Sequence, residues 1–438
     1  MFWIGTTVVL MFALQAPFAS AACNRALSAN RLFLYGICAM LFFNALGLAI
    51  YTRELSSNTI VFYCACTIAF CIGSLFVVNQ KNSSGVADKT NSQVEVLFVK
   101  ICFILALVYI ALTVPQITRV LNSSIQDLRK EHWNTAYDEK GALGIVYALA
   151  RAGAGYFMIN MPLFTRDKNR LSLALGLASA VFIFVETAAA GGRYVFIFFA
   201  LATLINHYAL KKPTAKVGLN IGYSLFIIAG AYFSLAVFPL LRNVYLASEP
   251  MPYFSYVDDV TPAPWILQLS SGTLRTVVPY KLQFYLENMR SQSGMMLGSY
   301  NIKYLSFLPQ IFGIDARSFT EMREYISDLS SVAGYGGNPW STGFRDLYLD
   351  FGKVGSVLAS FCLGFYLTKW SAKLYTSESS IERTIGALAS CSGLVFSFLS
   401  PFVVPPVLNL LLLLLVVSLA SRLLKRQSQT IQEIMQVS

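Results

Sequence analysis

Long, mainly apolar stretches recur from one end of this 438-residue chain to the other. A helix rising about 1.5 Å per residue needs about 20 such residues to cross a hydrocarbon core roughly 30 Å thick. Eleven stretches qualify, near 2–22, 32–51, 59–79, 96–115, 142–162, 171–190, 192–210, 217–240, 347–368, 384–404 and 405–421. The first has no basic n-region, which argues against a cleaved signal peptide despite "ASAA" at 19–22. The last two are separated only by "SPFVVPP" (400–406), a proline-rich turn that would equally break one re-entrant element, so ten to twelve spans are expected. Charged residues make up only 13% of the chain, roughly half of the quarter typical of soluble domains. The expected fold is therefore an all-α polytopic membrane protein.

Basic residues give the orientation, because short cytoplasmic loops retain them. If alternate connections are inside, Arg25 and Arg31, Lys81 and Lys89, "RDKNR" (166–170), "KKPTAK" (211–216), the Lys369/Lys373/Arg383 loop and the "RLLKRQ" tail are cytoplasmic. The opposite side holds Arg53, a mixed-charge loop at 115–141, Arg193, a long loop at 241–346 and the uncharged 400–406 turn. Much of the net charge of +11 is thus a topology signal, and nucleic acid is not an expected partner. Seven of the eight cysteines fall inside predicted spans, and no charged or histidine partner lies near "CAC" (64–66), so they read as small apolar filler.

The chain divides into helices over 1–240, an outer loop at 241–346, helices over 347–421 and a tail at 422–438. Two loop segments have helical period. In 277–290, Val278, Leu282, Tyr285, Leu286 and Met289 share one face, with Gln283, Glu287 and Arg290 opposite. In 321–332, Met322, Tyr325, Ile326 and Leu329 do the same. Such helices either lie on the membrane surface or cap the bundle. After them, "AGYGGNPW" (333–340) forbids regular structure until about Trp340. The next span then opens with Arg345, Asp346, Asp350 and Lys353, which are costly there unless paired or facing a polar cavity.

Between Arg170 and Lys211 the charged side chains are Glu186 and Arg193, with His207 besides. Gly191 and Gly192 allow a tight turn, which sets Arg193 at the N-terminal end of a helix, where free amides already favour an anion. The plainer alternative is that Arg193 snorkels or pairs with Glu186. Further arginines on that side include Arg242, Arg275 and Arg345, and guanidinium forks suit the paired oxygens of a diphosphate. Asp346 and Asp350 are four apart and share a helix face. Either one is a general base, or both pair with Arg345 and Lys353 to fix the helix. No P-loop, nucleophile elbow or metal-spaced ligand set is present in the sequence, so neither a metal nor another cofactor is expected.

The "GGR" turn that opens a helix, the late outer loop and above all "GGNPWSTGFRDLYLDFGKVGSV" (336–357) resemble the Wzy-type polymerases of bacterial oligosaccharide (O-antigen) repeat units. The family's "Y-x-D-F-G-x-x-G" helix start corresponds here to Tyr348, Asp350, Phe351, Gly352 and Gly355. The resemblance implies a GT-C-like fold in the bacterial inner membrane with its active face periplasmic. It implies metal-independent glycosyl transfer, in which a glycan on undecaprenyl diphosphate is passed to a new lipid-linked repeat unit. Membrane lipid and a protein that regulates chain length are the partners it implies. Arg193 and Arg345 would then stabilise the leaving diphosphate, with Arg242 and Arg275 at the second lipid. Trp265, Trp340 and Tyr335 would stack on sugars, and Asp346 or Asp350 would deprotonate the acceptor. An O-antigen ligase-like transferase is the nearest alternative, but its essential loop histidine has no counterpart in 241–346. A lipid-linked sugar flippase would call for inverted repeats and midplane charges.

Overall fold

The computed structural model describes residues 2–18, 25, 27–45, 55–77, 89–122, 142–189, 194–211, 278–292, 294–302, 305, 307–314, 319–332, 342–397, 400, 406–417 and 419–420. The expected span at 217–240, the Gly191–Gly192 turn and the 422–438 tail lie outside these residues. Among the described residues all regular structure is helical. The helices are α1 (Phe2–Phe18), α2 (Ala29–Ala45), α3 (Ser57–Leu75), α4 (Lys89–Asn122), α5 (Ala142–Arg166), α6 (Arg170–Ala189) and α7 (Tyr194–Lys211). They continue with α8 (Val278–Asn288), the single turn α9 (Leu308–Ile311), α10 (Phe319–Val332), α11 (Gly343–Thr376), α12 (Ser380–Phe396) and α13 (Pro406–Val417).

Among the described residues, four helical stretches are long and apolar enough to cross a membrane: Ser57–Leu75, Val94–Pro115, Arg170–Thr187 and Gly343–Thr376. Shorter apolar helices lie at Phe2–Gln15, Ala29–Leu41, Val195–Leu210 and Pro406–Val417. The protein is a helical membrane protein. Its hydroxyl side chains behave accordingly, since a polar group inside lipid must find a partner within the protein. Thr67, Thr113, Thr187, Thr203 and Ser360 each donate to the carbonyl four residues earlier.

The described chain forms two compact units. The first gathers residues 1–78, 215–369 and 392–403. Its core is aromatic: the Phe33 and Phe70 rings are 4.2 Å apart, Phe70 stacks on Phe396 at 5.8 Å, and Phe344 meets Phe396 edge-on at 5.5 Å. Ser56 caps α3 by accepting from the Thr59 amide, while its own amide donates to Gln283 Oε1 at 2.9 Å, which ties α8 to the start of α3. α3 and α11 cross with almost no gap. A Cβ added at Gly73 would run into the Phe361 backbone, and one at Gly364 into the Phe70 backbone. Without aqueous exclusion to drive helices together, such close backbone approach is what holds them.

The amphipathic segments of the long loop resolve as caps. Tyr285 and Met289 of the α8 segment, Met322 and Ile326 of α10, and Met296 and Tyr300 between them bury their side chains against Leu349 of α11, with Tyr325 and Leu329 packed alongside. Glu287 and Arg290 are exposed on the far side. Their apolar faces are therefore spent on a common core.

The second unit gathers residues 79–214, 370–391 and 404–438, with α5 against α4, α6 and α7. Polar bonds cross its apolar seams. Thr203 Oγ1 donates to the Met158 carbonyl at 3.1 Å, Asn206 Nδ2 to that of Ile159 at 3.1 Å, and Asn160 Nδ2 to Thr384 Oγ1 at 2.7 Å. At the start of α12, the Ser380 amide and hydroxyl both donate to Glu95.

The crossing of α3 and α11 makes a sharp prediction. Gly364→Val should destabilise the protein by about 1–3 kcal/mol, the usual cost of overpacking. Gly5, whose added Cβ would have only Leu41 at 3.9 Å for a neighbour, should accept alanine with no loss. Thermal melting of both variants in detergent is the check.

Candidate functional site: a buried arginine–aspartate network at a helix break

α11 starts sharply. Thr342 Oγ1 accepts from the Phe344 amide at 2.8 Å and the Thr342 carbonyl from the Arg345 amide at 3.1 Å, so the first turn is capped by its own flank. It does not run straight. Gly352 has φ +67° and ψ −171°, a conformation that a side chain would strain, and the helix is broken there. The carbonyls of the turn before the break lose their helical partners. Three amides of the preceding loop replace them. Gly294 N donates to the Tyr348 carbonyl at 3.1 Å, Met296 N to that of Leu349 at 3.3 Å, and Leu297 N to that of Asp350 at 3.0 Å.

The same loop closes on the Asp350 side chain. Its Oδ1 accepts from the Tyr300 amide at 2.9 Å, and its Oδ2 accepts from the Asn301 amide at 3.0 Å and from Asn301 Nδ2 at 2.6 Å. An anion at the C-terminal end of a helical segment is unfavourable, because unpaired carbonyls already give that end partial negative charge. These donors offset the conflict. Asn301 Oδ1 in turn accepts from the Ser400 hydroxyl, and the Ser400 amide donates to Asp346 Oδ2 at 3.0 Å. The other Asp346 oxygen receives Arg345, through Nε at 2.9 Å and through Nη2. The Arg345 guanidinium lies over the Tyr285 ring at 4.9 Å and reaches the edge of Tyr300's range at 6.0 Å.

Arg345, Asp346 and Asp350 are all fully buried, at 0% exposure. Three formal charges are thus held out of water by hydrogen bonds and two aromatic faces. The structure brings Asp346 and Asp350 into one network, as their shared helix face suggested, and it pairs Arg345 with Asp346. The expected pairing of Asp350 with Lys353 is not formed. The turn at Gly352 takes residue 353 off the helix that carries Asp350, and Lys353 is exposed. Arg193, Arg242, Arg275, Trp265, Tyr335 and Trp340 lie outside the described residues.

Glu186 is described, while Arg193, its suggested partner, lies outside the described residues. In the second unit Glu186 is 2% exposed, pairs with Arg151 Nη1 at 3.1 Å and accepts from the Tyr109 hydroxyl. Arg151 lies on α5 and Tyr109 on α4, so this carboxylate joins three helices. Sequence reasoning also missed Asn301, Ser400, Tyr285 and Tyr300. Tyr285 was read only as part of an apolar face, and nothing marks Asn301 and Ser400 in the sequence, since they stand 49 residues before and 54 residues after the aspartates they serve. Among the described residues, no three His, Cys, Asp or Glu side chains converge as metal ligands.

As arranged, the network locks the loop at 294–302 onto the start of α11 and keeps a guanidinium and two carboxylates in a desolvated, fixed geometry. Removing one member of a buried pair strands the other. Asp346→Ala should therefore cost about 3–5 kcal/mol, while the double variant Arg345→Met/Asp346→Ala should recover part of that loss because no charge is stranded. Chemical or thermal unfolding of the three proteins in one detergent tests this. Compared with models of protein families, with curated proteins and with solved structures, the chain has no match.

Proposed function

We propose that this protein polymerises undecaprenyl-diphosphate-linked oligosaccharide repeat units by glycosyl transfer at the periplasmic face of a bacterial inner membrane, within a GT-C-like arrangement of about eleven spans. One observation carries the reading. The Tyr348–Gly352 part of the motif on which the resemblance rests coincides with the break in α11 and with the buried Arg345, Asp346 and Asp350. Ionisable groups kept inside a membrane helix at such cost are functional candidates before anything else.

The chemistry asks for cations near the departing diphosphate and a base near the acceptor hydroxyl. Arg345 forks onto Asp346 and is buried, so in the proposal Arg193, Arg242 and Arg275 carry the direct contacts with diphosphate. Arg345 orders the centre beside them. Asp350 is the better candidate for the base. Its donors all come from Tyr300 and Asn301 of one loop, so a shift of that loop frees a carboxylate oxygen. Asp346 is tied to Arg345 on one oxygen and to Ser400 on the other. Trp265, Tyr335 and Trp340 remain the proposed sugar platforms.

A transporter for lipid-linked sugars is the second reading. The pair between Arg151 and Glu186 favours it, because charges buried among apolar helices also mark transport pathways.

Deleting the gene from a strain that makes the polymer separates the two. A polymerase defect leaves surface lipid capped with a single repeat unit, whereas loss of every repeat points to transport or ligation. In the polymerase case Arg193→Lys should shorten or abolish chains at unchanged protein level, since a point charge replaces a planar fork. Wild-type chain length on a silver-stained gel would exclude that role.

A further inference from the structure

We propose that the segment at 307–314 is a membrane anchor: Phe307, Ile311 and Phe312 insert into lipid beside the break in α11. The three side chains are 49%, 68% and 68% exposed, and Phe312 immediately follows the single turn α9. From Tyr304 to Ile314 the sequence "YLSFLPQIFGI" carries no charge. An apolar tip of this kind is either covered by something or costly in water.

Two further observations bear on lipid as the cover: one permits it and the other favours it. The first is the backbone. Within the tip, Ile311 N donates to the Phe307 carbonyl at 3.1 Å, Phe312 N to Leu308 at 3.3 Å, Gly313 N to Gln310 at 3.0 Å and Ile314 N to Pro309 at 2.9 Å. Pro309 has no amide to satisfy. These turn bonds would also form in water, but they meet the condition for entry into lipid, where an amide left unpaired would be costly.

The second is continuity with an exposed apolar surface of the span α11. On α11, Phe351, Val354 and Leu358 are 42%, 77% and 65% exposed, as expected for the lipid face of a membrane helix. The loop bearing the tip is seated at the top of that face. Leu297 N bonds the Asp350 carbonyl, and a Cβ at Gly298 would stand 3.6 Å from both Leu305 and the Phe351 ring. Phe307 is two residues beyond Leu305, a reach of at most about 7 Å. The tip therefore extends the apolar face of α11 at the level of the break. It holds the capping loop to the bilayer whether or not the protein is a polymerase.

The test uses the full chain in vesicles of phosphatidylethanolamine and phosphatidylglycerol. Phe312→Trp adds one indole to the five tryptophans present, and its emission is obtained as the difference from the parent protein. Interfacial segments sit roughly 5–10 Å into the headgroup and acyl boundary, so that added emission should fall about twofold or more when the lipids carry bromines high on the acyl chain. Unquenched emission overturns the proposal. A second measurement does not depend on that variant. In vesicles carrying a charged thiol reagent on both sides, Glu324→Cys, on the exposed face of α10, should react at least about tenfold faster than Ile311→Cys, since thiolate chemistry needs water. Equal rates place the tip in water. Protection from both bromolipid and reagent means that protein, such as a second copy, covers the tip, and this too overturns the proposal.

Discussion

A helix that stops inside a membrane protein leaves carbonyl oxygens without partners, and water is not there to take them. In α11 the break at Gly352 is met by amides of a loop more than 50 residues earlier: Gly294, Met296 and Leu297 bond the carbonyls of Tyr348, Leu349 and Asp350. Much else follows from that substitution. The loop must lie along the end of the helical segment, which brings the Tyr300 and Asn301 amides to Asp350. It also sets Met296 and Tyr300 in the core shared by α8, α10 and Leu349. The cap over α11 is thus a backbone device first and an apolar cluster second.

Charge is then accommodated by what the loop supplies. Asp350 stands where the helix dipole opposes an anion, and Asp346 and Arg345 are buried one turn earlier. Neither carboxylate relies on a cation alone. The chain runs from the Arg345–Asp346 ion pair through two neutral residues, Ser400 and Asn301, to Asp350. A network in a low-dielectric interior is stable only when each member is satisfied, so loss of one contact is felt by the others. That tight coupling suits a centre that has to keep its geometry fixed, and it leaves movement of the loop as the route by which Asp350 could be released. The second unit handles its own buried charge more simply, with Arg151 and the Tyr109 hydroxyl converging on Glu186.

Membrane class, helical content and the positions of most of the described helices were legible in the sequence, because the signal is local: apolar length relative to the thickness of a bilayer. The amphipathic faces of 277–290 and 321–332 were legible for the same reason, although whether they would meet lipid or protein was not. Local reasoning also placed Arg345, Asp346 and Asp350 together. It went astray at Lys353, and it did not find the partners of Glu186. Helical spacing stops applying once Gly352 turns the chain, and Glu186 is reached by Arg151 and Tyr109 from helices that no sequence interval links to it.

The sequence by itself determined that the chain must live in lipid and that the charges near residue 345 must be paired or face a polar cavity, since both follow from residue types over a few turns. Only the tertiary structure decided which groups satisfy that charge. Asn301, Ser400, Tyr285 and the 294–301 amides have ordinary side chains or none at all, and their role arises from where the broken helix leaves unpaired carbonyls. Hydrogen-bond demand created by a backbone break is set in three dimensions, and no spacing along the chain records it.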